Sequence, residues 1–311
     1  MIKKIFKLIL LLIIIPASML IYNEVLYFTG WAENPATPDN KATLHFYVIN
    51  LDRQPERFTA FKTQADKFGI NVERVSATDG YKIIFRDRET KDVFTGQGIK
   101  DKTKAFIANR QYDVYCSPES YKNNEQAEFI YKAFEEMNRG LTAGEIGCNC
   151  SHVKLWKQIS KSPDNQLSVI FEDDAVLFDH FDKNFAEFVK SLPDKWDIAY
   201  LDADLTFPKR HIPYSIRFLF HFPDLVVNNY FTKIHNEYST ERTHALVINK
   251  NSIPTLLAAY NAHNSLVIDN SLGRAIHERA ITAYIAKKKI ASWNQDIPSE
   301  LSAMGRNEFG N

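Results

Sequence analysis

Residues 43–80 constrain the fold more than any other part of the chain. TLHFYVINLD (43–52) is a β-branched and aromatic run of the kind that forms a buried strand. In RQPERFTAFKTQADKFGI, which follows, Phe58, Phe61, Ala65 and Phe68 recur at helical spacing, and Gly69 stands where a helix would stop. NVERVSATDG (71–80) reads as a short second strand ending in a turn. Strand, helix, strand in that order predicts a parallel α/β unit.

The rest of the chain extends that unit. Residues 81–140 are polar, lack a clear period, and read as an insertion with one helix around EQAEFIYKAFEEM. From Thr142 the signal sharpens: TAGE is a capping box running from Thr142 to Glu145. The helix it opens sets Cys148, His152, Leu155, Trp156 and Ile159 on one face. LSVIF (167–171), WDIAYLDADL (196–205), HALVIN (244–249) and ITAYIAKKKIA (281–291) are further strand candidates. Between the last two lie the helical SIPTLLAAY and a segment around Asp269. Residues 205–240 read as a second insertion. The expected fold is α/β, with a mostly parallel central sheet carried by residues 43–311.

VIFEDDAVLF (169–178) places Glu172, Asp173 and Asp174 in a row inside an apolar run. Adjacent carboxylates repel one another, and burying one unpaired is costly. In open α/β sheets, ligands sit beyond the carboxyl ends of the strands, and acids there can hold a hard divalent cation through oxygen. The bland alternative is a loop of solvated or ion-paired acids. DAD (202–204) also ends an apolar strand and is a literal Asp-X-Asp, so Asp202 and Asp204 compete for the cation; their alternative role is a turn or helix cap.

Other residues admit two readings as well. Asn50, Asp52, Arg53 and Arg57 cluster at the carboxyl end of the first strand, where arginine suits bidentate phosphate recognition or plain surface ion pairing. His152, on an apolar helix face, is either a catalyst or a satisfied core residue. Cys148, Cys150 and His152 cannot all point at one ion from a helix, so they read as small buried side chains rather than a zinc site. Three cysteines do not make a disulfide framework, and free thiols are expected. There is no GxGxxG, no GxxxxGK[ST] and no GxSxG, so dinucleotide-fold, P-loop and serine-hydrolase readings lack their signatures. Lys plus Arg and Asp plus Glu number 38 each, which argues against a broad nucleic-acid surface.

The amino terminus has a different character. Lys3, Lys4 and Lys7 precede LILLLIIIPASMLIY (8–22), and VLYFTGW follows after Asn23 and Glu24. A hydrophobic helix over residues 1–30 is expected, either a single-pass anchor in a bacterial inner membrane or a cleaved signal peptide, with residues 31–42 as a polar linker. Which side of the membrane would carry the catalytic domain is left open.

Three segments together resemble glycosyltransferase family 25, the lipooligosaccharide and collagen-type galactosyltransferase group. They are FYVINLDRQPERFTAF with FGINVERVSATDG, LTAGEIGCNCSHVKLWKQI, and SVIFEDDAVL, in that order over residues 43–178. WDIAYLD and THALVINKNSIPTLL resemble later segments of the family, whereas residues 205–240 have no counterpart. The resemblance implies a GT-A fold, a UDP-sugar donor (most often UDP-galactose), a glycan or glycolipid acceptor, and Mn²⁺ or Mg²⁺ as cofactor. It places Asn50, Asp52, Arg57 and Asp79 at the nucleotide sugar, and Asp174, Asp173 and Glu172 at the metal. Asp269, in LVIDNSL, matches a late family aspartate that would serve as the acceptor-side base, with His152 as a second catalytic candidate. Family order favours Glu172–Asp174 over Asp202 and Asp204 for the cation. The competing expectations are an inactive binding or adhesion protein on the same scaffold and, more weakly, an aspartate-based phosphohydrolase.

Overall fold

The computed structural model describes residues 43–98, 111–126, 130–132, 141–162, 166–202, 204–206, 231–234, 239–263, 267–294 and 296. The expected hydrophobic helix over residues 1–30 lies outside them. Among the described residues, no helix is long and apolar enough to cross a membrane. This corrects the single-pass anchor and the membrane localisation drawn from it, which have no structural support.

The chain begins as its sequence pattern predicts, with β1 (Thr43–Asn50), α1 (Pro55–Lys67) and β2 (Val72–Ser76). Proline in the first turn of α1 fits that position, where a backbone N–H would have no helical partner. A small antiparallel sheet follows: β3 (Ile84–Asp87), β4 (Val93–Thr95), β5 (Gln111–Tyr115) and, after the short α2 (Pro118–Lys122), β6 (Ile130–Lys132). Residues 130–132 are therefore strand, where the sequence pattern suggested a helix. Next come α3 (Ala143–Ser160), β7 (Gln166–Glu172), β8 (Ala175–Leu177) and α4 (Phe181–Ser191). The capping box of α3 is formed in full: the Glu145 backbone N–H donates to Thr142, and the Thr142 N–H donates to the Glu145 carboxylate.

WDIAYLDADL does not form one strand but two, β9 (Ile198–Tyr200) and β10 (Asp204–Thr206), in different sheets. The chain continues through β11 (Phe231–Lys233), β12 (Ser239–Glu241), β13 (Ala245–Asn249), α5 (Ile253–Ala262) and α6 (Ile268–His277). ITAYIAKKKIA likewise splits, into β14 (Ala283–Ala286) and β15 (Ala291–Trp293), with the lysine run between them.

The central sheet has the order β11-β14-β9-β13-β7-β1-β2. β2, β1, β7, β9 and β14 share one direction; β13 and β11 oppose it. Side chains alternate between its two faces, and both faces are buried. Tyr47, Ile49, Ile170, Tyr200, Leu246 and Ile248 pack with α3, α5 and α6. Val48, Val169, Phe171, Ala199 and Val247 pack with Phe61 of α1 and with Phe181, Phe185 and Phe188 of α4. Covering both faces explains why these strands read as continuous apolar runs rather than alternating ones.

The small sheet sits against α3. Phe85, Tyr112 and Val114 share a core cluster with Ile146 and Trp156. That contact corrects the expectation of three free thiols: Cys116, just past β5, is bonded to Cys150 of α3 across a Cα–Cα distance of 6.1 Å. The two are 34 residues apart, so the pairing depends on tertiary packing and not on local spacing. Closing a loop of that length restricts the unfolded chain by roughly 3–4 kcal/mol in the chain-entropy account.

Candidate functional site

β1 and β7 are parallel neighbours, so their carboxyl ends, Asn50 and Glu172, emerge side by side. Glu172 closes β7 and Ala175 opens β8, which makes Asp173 and Asp174 a two-residue turn between strands. The Asn294 N–H pins that turn by donating to the Asp174 carbonyl at 2.8 Å. A cleft opens here, lined by Arg57, Thr78, Gly80, Gly147, Cys148, Ser151, His152 and all three acids, among others. Its position suits a ligand at the carboxyl edge of an α/β sheet.

The three acids have different surroundings. Asp173 is fully engaged: Asn50 Nδ2 donates to its Oδ2 at 2.7 Å, and Arg57 Nη1 reaches its Oδ1 at 3.2 Å. Burial still raises its carboxyl above the ordinary value, with Asn50 and Arg57 holding it down in part. Glu172 Oε1 faces His152 Nε2 at 3.2 Å and accepts from Thr243 Oγ1 at 2.7 Å. Burial alone would raise Glu172, but the His152 and Thr243 hydrogen bonds outweigh it and hold the carboxyl below its usual range. Asp174 differs from both. Its Oδ1 is buried with no hydrogen-bond partner among the described residues. Burial, together with the charges of Glu172 and Asp173, pushes its carboxyl up to about 7. A carboxylate so placed is stabilised by an added cation, so the donor set fits a divalent metal with Asp174 as its open ligand.

The nucleotide-side residues divide as well. Asn50 is 1% exposed and forms a hub, accepting from Arg74 Nε at 2.7 Å while donating to Asp173 and to the Gln54 carbonyl. Arg57 lines the cleft. Asp52 does not: it is exposed, paired with Arg74 at 2.8 Å and with the Ser76 hydroxyl at 2.7 Å, where it braces the ends of β1 and β2. Asp79 caps the 3-10 turn Gly80–Lys82 and pairs with Arg53 at 3.3 Å, next to the cleft but not on its wall.

Two further candidates sit away from the wall. Asp269, in the first turn of α6, accepts from the Arg242 N–H at 3.3 Å and is not among the lining residues. Asp202 is buried and paired with Lys289 at 2.8 Å and with the Ser292 hydroxyl at 2.8 Å. Burial would raise Asp202, but hydrogen bonds from His244, Lys289 and Ser292 take its carboxyl down to about 2. It is a structural acid with its partners already in place. Asp204 opens β10.

His152 is 1% exposed, lies edge-on to Trp156, and touches Glu172, so it is both a core residue and a cleft residue. Thr243, which orients Glu172, escaped the sequence reading, as did Ser151. The Ser151 hydroxyl accepts from the Thr78 N–H at 2.8 Å and donates to the Gly147 carbonyl at 2.7 Å, locking α3 to the turn after β2. No local pattern marks either one; only the strand and helix assignments around them could have raised the question.

Residues 43–272 match the family model described as glycosyltransferase family 25 (LPS biosynthesis protein). Among curated proteins, a "Glycosyltransferase 25 family member" of Anopheles gambiae is 29% identical over 52% of this chain and 22% of its own length. Human "Procollagen galactosyltransferase 2" is 30% identical over 56% of this chain and 22% of its own. The rat protein named "Probable inactive glycosyltransferase 25 family member 3" is 27% identical over 76% of this chain and 34% of its own. The chain thus matches about a fifth to a third of the length of these relatives.

Proposed function

The chain belongs to glycosyltransferase family 25, and on that premise we propose that it moves a hexose, galactose from UDP-galactose, onto a hydroxyl of a cell-surface glycan. The proposal includes a divalent cation, Mn²⁺ or Mg²⁺, and inversion at the anomeric carbon. The observation that supports it most is Asp174 Oδ1, buried without a partner among the described residues and in the same cleft as Arg57. The human relative's name supports galactose as the sugar.

In this reading Asp174 holds the cation. Asp173 is spent on Asn50 and Arg57, and Glu172 Oε1 on His152 and Thr243. One open carboxylate suits Mg²⁺- or Mn²⁺-type ions, which bind through one or two carboxylates, waters and substrate phosphates. When bound, such a cation offsets the negative charge gathering on a departing diphosphate. Arg57, steered by Asp173, lines the cleft, and its guanidinium is the side chain there whose geometry suits phosphate oxygens. His152 and Thr243 hold Glu172 ionised at the cleft floor. Asp269, in the first turn of α6 and off the cleft wall, is the proposed base for the acceptor proton, a role that requires the acceptor to approach from that side.

The rat relative's name gives weight to a second reading, an inactive scaffold. Against it stands an acid whose buried Oδ1 has no partner among the described residues and which is costly to ionise unless a cation is bound. A thermal-shift panel of UDP-, GDP- and CMP-sugars with and without Mn²⁺ separates the two. The proposal expects stabilisation by UDP-sugars that requires Mn²⁺; no shift with any donor would support the scaffold.

A further inference from the structure

We propose that Cys148, His152 and Glu172 form a second cation site in the cleft, for a zinc-class ion, distinct from the Asp174 carboxylate. Cys148 and His152 are four residues apart on α3 and so share a face. Both line the cleft, and Glu172 meets them from the end of β7. A thiol sulfur, an imidazole nitrogen and a carboxylate oxygen from the three residues all lie within 4.8 Å of one another. Neighbouring ligand atoms around a tetrahedral zinc ion stand about 3.3–3.6 Å apart, given bonds of about 2.0–2.3 Å. The His152 Nε2 to Glu172 Oε1 separation is already 3.2 Å.

An ion bound here takes the place of the His152 Nε2–Glu172 Oε1 hydrogen bond. One further observation points to a ligand. Cys148 is the one free thiol among the described cysteines, because Cys150 is committed to Cys116. The bond that removes Cys150 therefore leaves the two α3 residues whose spacing can serve one ion.

The donor types select the metal. A sulfur, nitrogen and oxygen set favours borderline-soft ions such as Zn²⁺, Cd²⁺ or Co²⁺ over Mg²⁺ and Mn²⁺, which prefer all-oxygen sites. Three protein ligands leave a fourth position open toward the cleft, the pattern of an exchangeable site rather than a closed structural one. Binding converts the Cys148 thiol to thiolate and releases its proton to solvent. A zinc-class ion held there occupies the wall that the donor sugar would face, so zinc should inhibit where Mn²⁺ supports.

Cobalt titration of the full chain in reductant-free buffer tests the site. The expected result is an intense visible spectrum typical of four-coordination, with a near-ultraviolet sulfur-to-cobalt band, both abolished by one equivalent of Zn²⁺. Cys148→Ser removes the sulfur band, and His152→Gln weakens cobalt binding at least tenfold. Asp174→Asn leaves the band intact while removing the Mn²⁺ response, so failure of one metal site is distinguishable from failure of the other. Should the α3 variants not fold, the wild-type protein supplies the answer: Zn²⁺ protects Cys148 from maleimide, read by mass spectrometry. A cobalt complex lacking the sulfur band, or Cys148 alkylated at the same rate with and without Zn²⁺, overturns the proposal.

Discussion

Asn50 and Asp173, 123 residues apart in sequence, are joined by a 2.7 Å hydrogen bond that ties the end of β1 to the acidic turn after β7. The same Asn50 side chain accepts from Arg74, so one buried amide fixes both Asp173 and the β2 arginine. Asn50→Ala removes a donor from half-buried Asp173, which keeps Arg57, and an acceptor from exposed Arg74, which keeps Asp52. Stability should fall by about 1–3 kcal/mol, as expected when a partly buried polar network loses a partner. Urea unfolding followed by circular dichroism measures it; a loss under 0.5 kcal/mol would show that the hub is not structural.

Asp174 carries a pH signature. Its folded value of about 7 lies above the ordinary 3.8, so between about pH 4 and pH 7 the folded state binds more protons than the unfolded one. Its contribution to stability is most favourable near pH 4 and declines as pH rises through 7. Asp174→Asn should therefore be stabilising at pH 8, on the order of 2–4 kcal/mol in metal-free buffer, and nearly neutral at pH 4. Adding Mn²⁺ at pH 8 should stabilise the wild type and leave the variant unmoved. Paired melts at the two pH values check both statements.

The buried Asp202 predicts the opposite sign. Its carboxyl is held near 2, so the stability it contributes is present above pH 4 and is lost as pH falls toward 2. Asp202→Asn should cost about 2 kcal/mol at pH 7 and little at pH 2. Mn²⁺ stabilisation should survive in this variant, because the acid serves Lys289 and Ser292 rather than a ligand.

Gly147 marks a close approach of backbones. A Cβ at this position would stand 2.8 Å from the Thr78 carbonyl oxygen and 3.1 Å from the Gly80 nitrogen. Gly147→Ala must push α3 away from the turn after β2, both of which line the cleft. A loss of about 1–3 kcal/mol is expected, together with weakened UDP binding. Unchanged unfolding and unchanged nucleotide affinity would mean that the approach is looser than described.

Much of the fold could be read from the sequence, and particular residues show why the remainder could not. β1, α1 and β2 were legible because apolar runs and helical spacing are local signals. The α3 boundary was legible because the capping box lies within four residues, Thr142 to Glu145. The apolar flanks of the EDD triplet left it open between a cation site and ion-paired acids; all three acids are half-buried, and Asp173 is ion-paired to Arg57. The division of roles among its acids was hidden, since it depends on Asn50, Arg57, His152 and Thr243 arriving from elsewhere. Asp52 shared a motif with Asn50 and Arg57, yet it turns outward to Arg74 and Ser76; motif membership does not fix direction. The Cys116–Cys150 bond was invisible because the small sheet that delivers Cys116 has no clear period in sequence.

In the proposed function, Asp174 is the residue on which cation-dependent sugar transfer depends. The most direct test is the rate of UDP release from UDP-galactose, with hydrolysis counted where no acceptor is supplied, for the wild type and Asp174→Asn with and without Mn²⁺. Expected are Mn²⁺-dependent release by the wild type and a loss of about 100-fold or more in the variant, the scale seen when a group stabilising developing charge is removed. Full activity in Asp174→Asn, or no release by a folded wild type with any divalent cation, would contradict the proposed function.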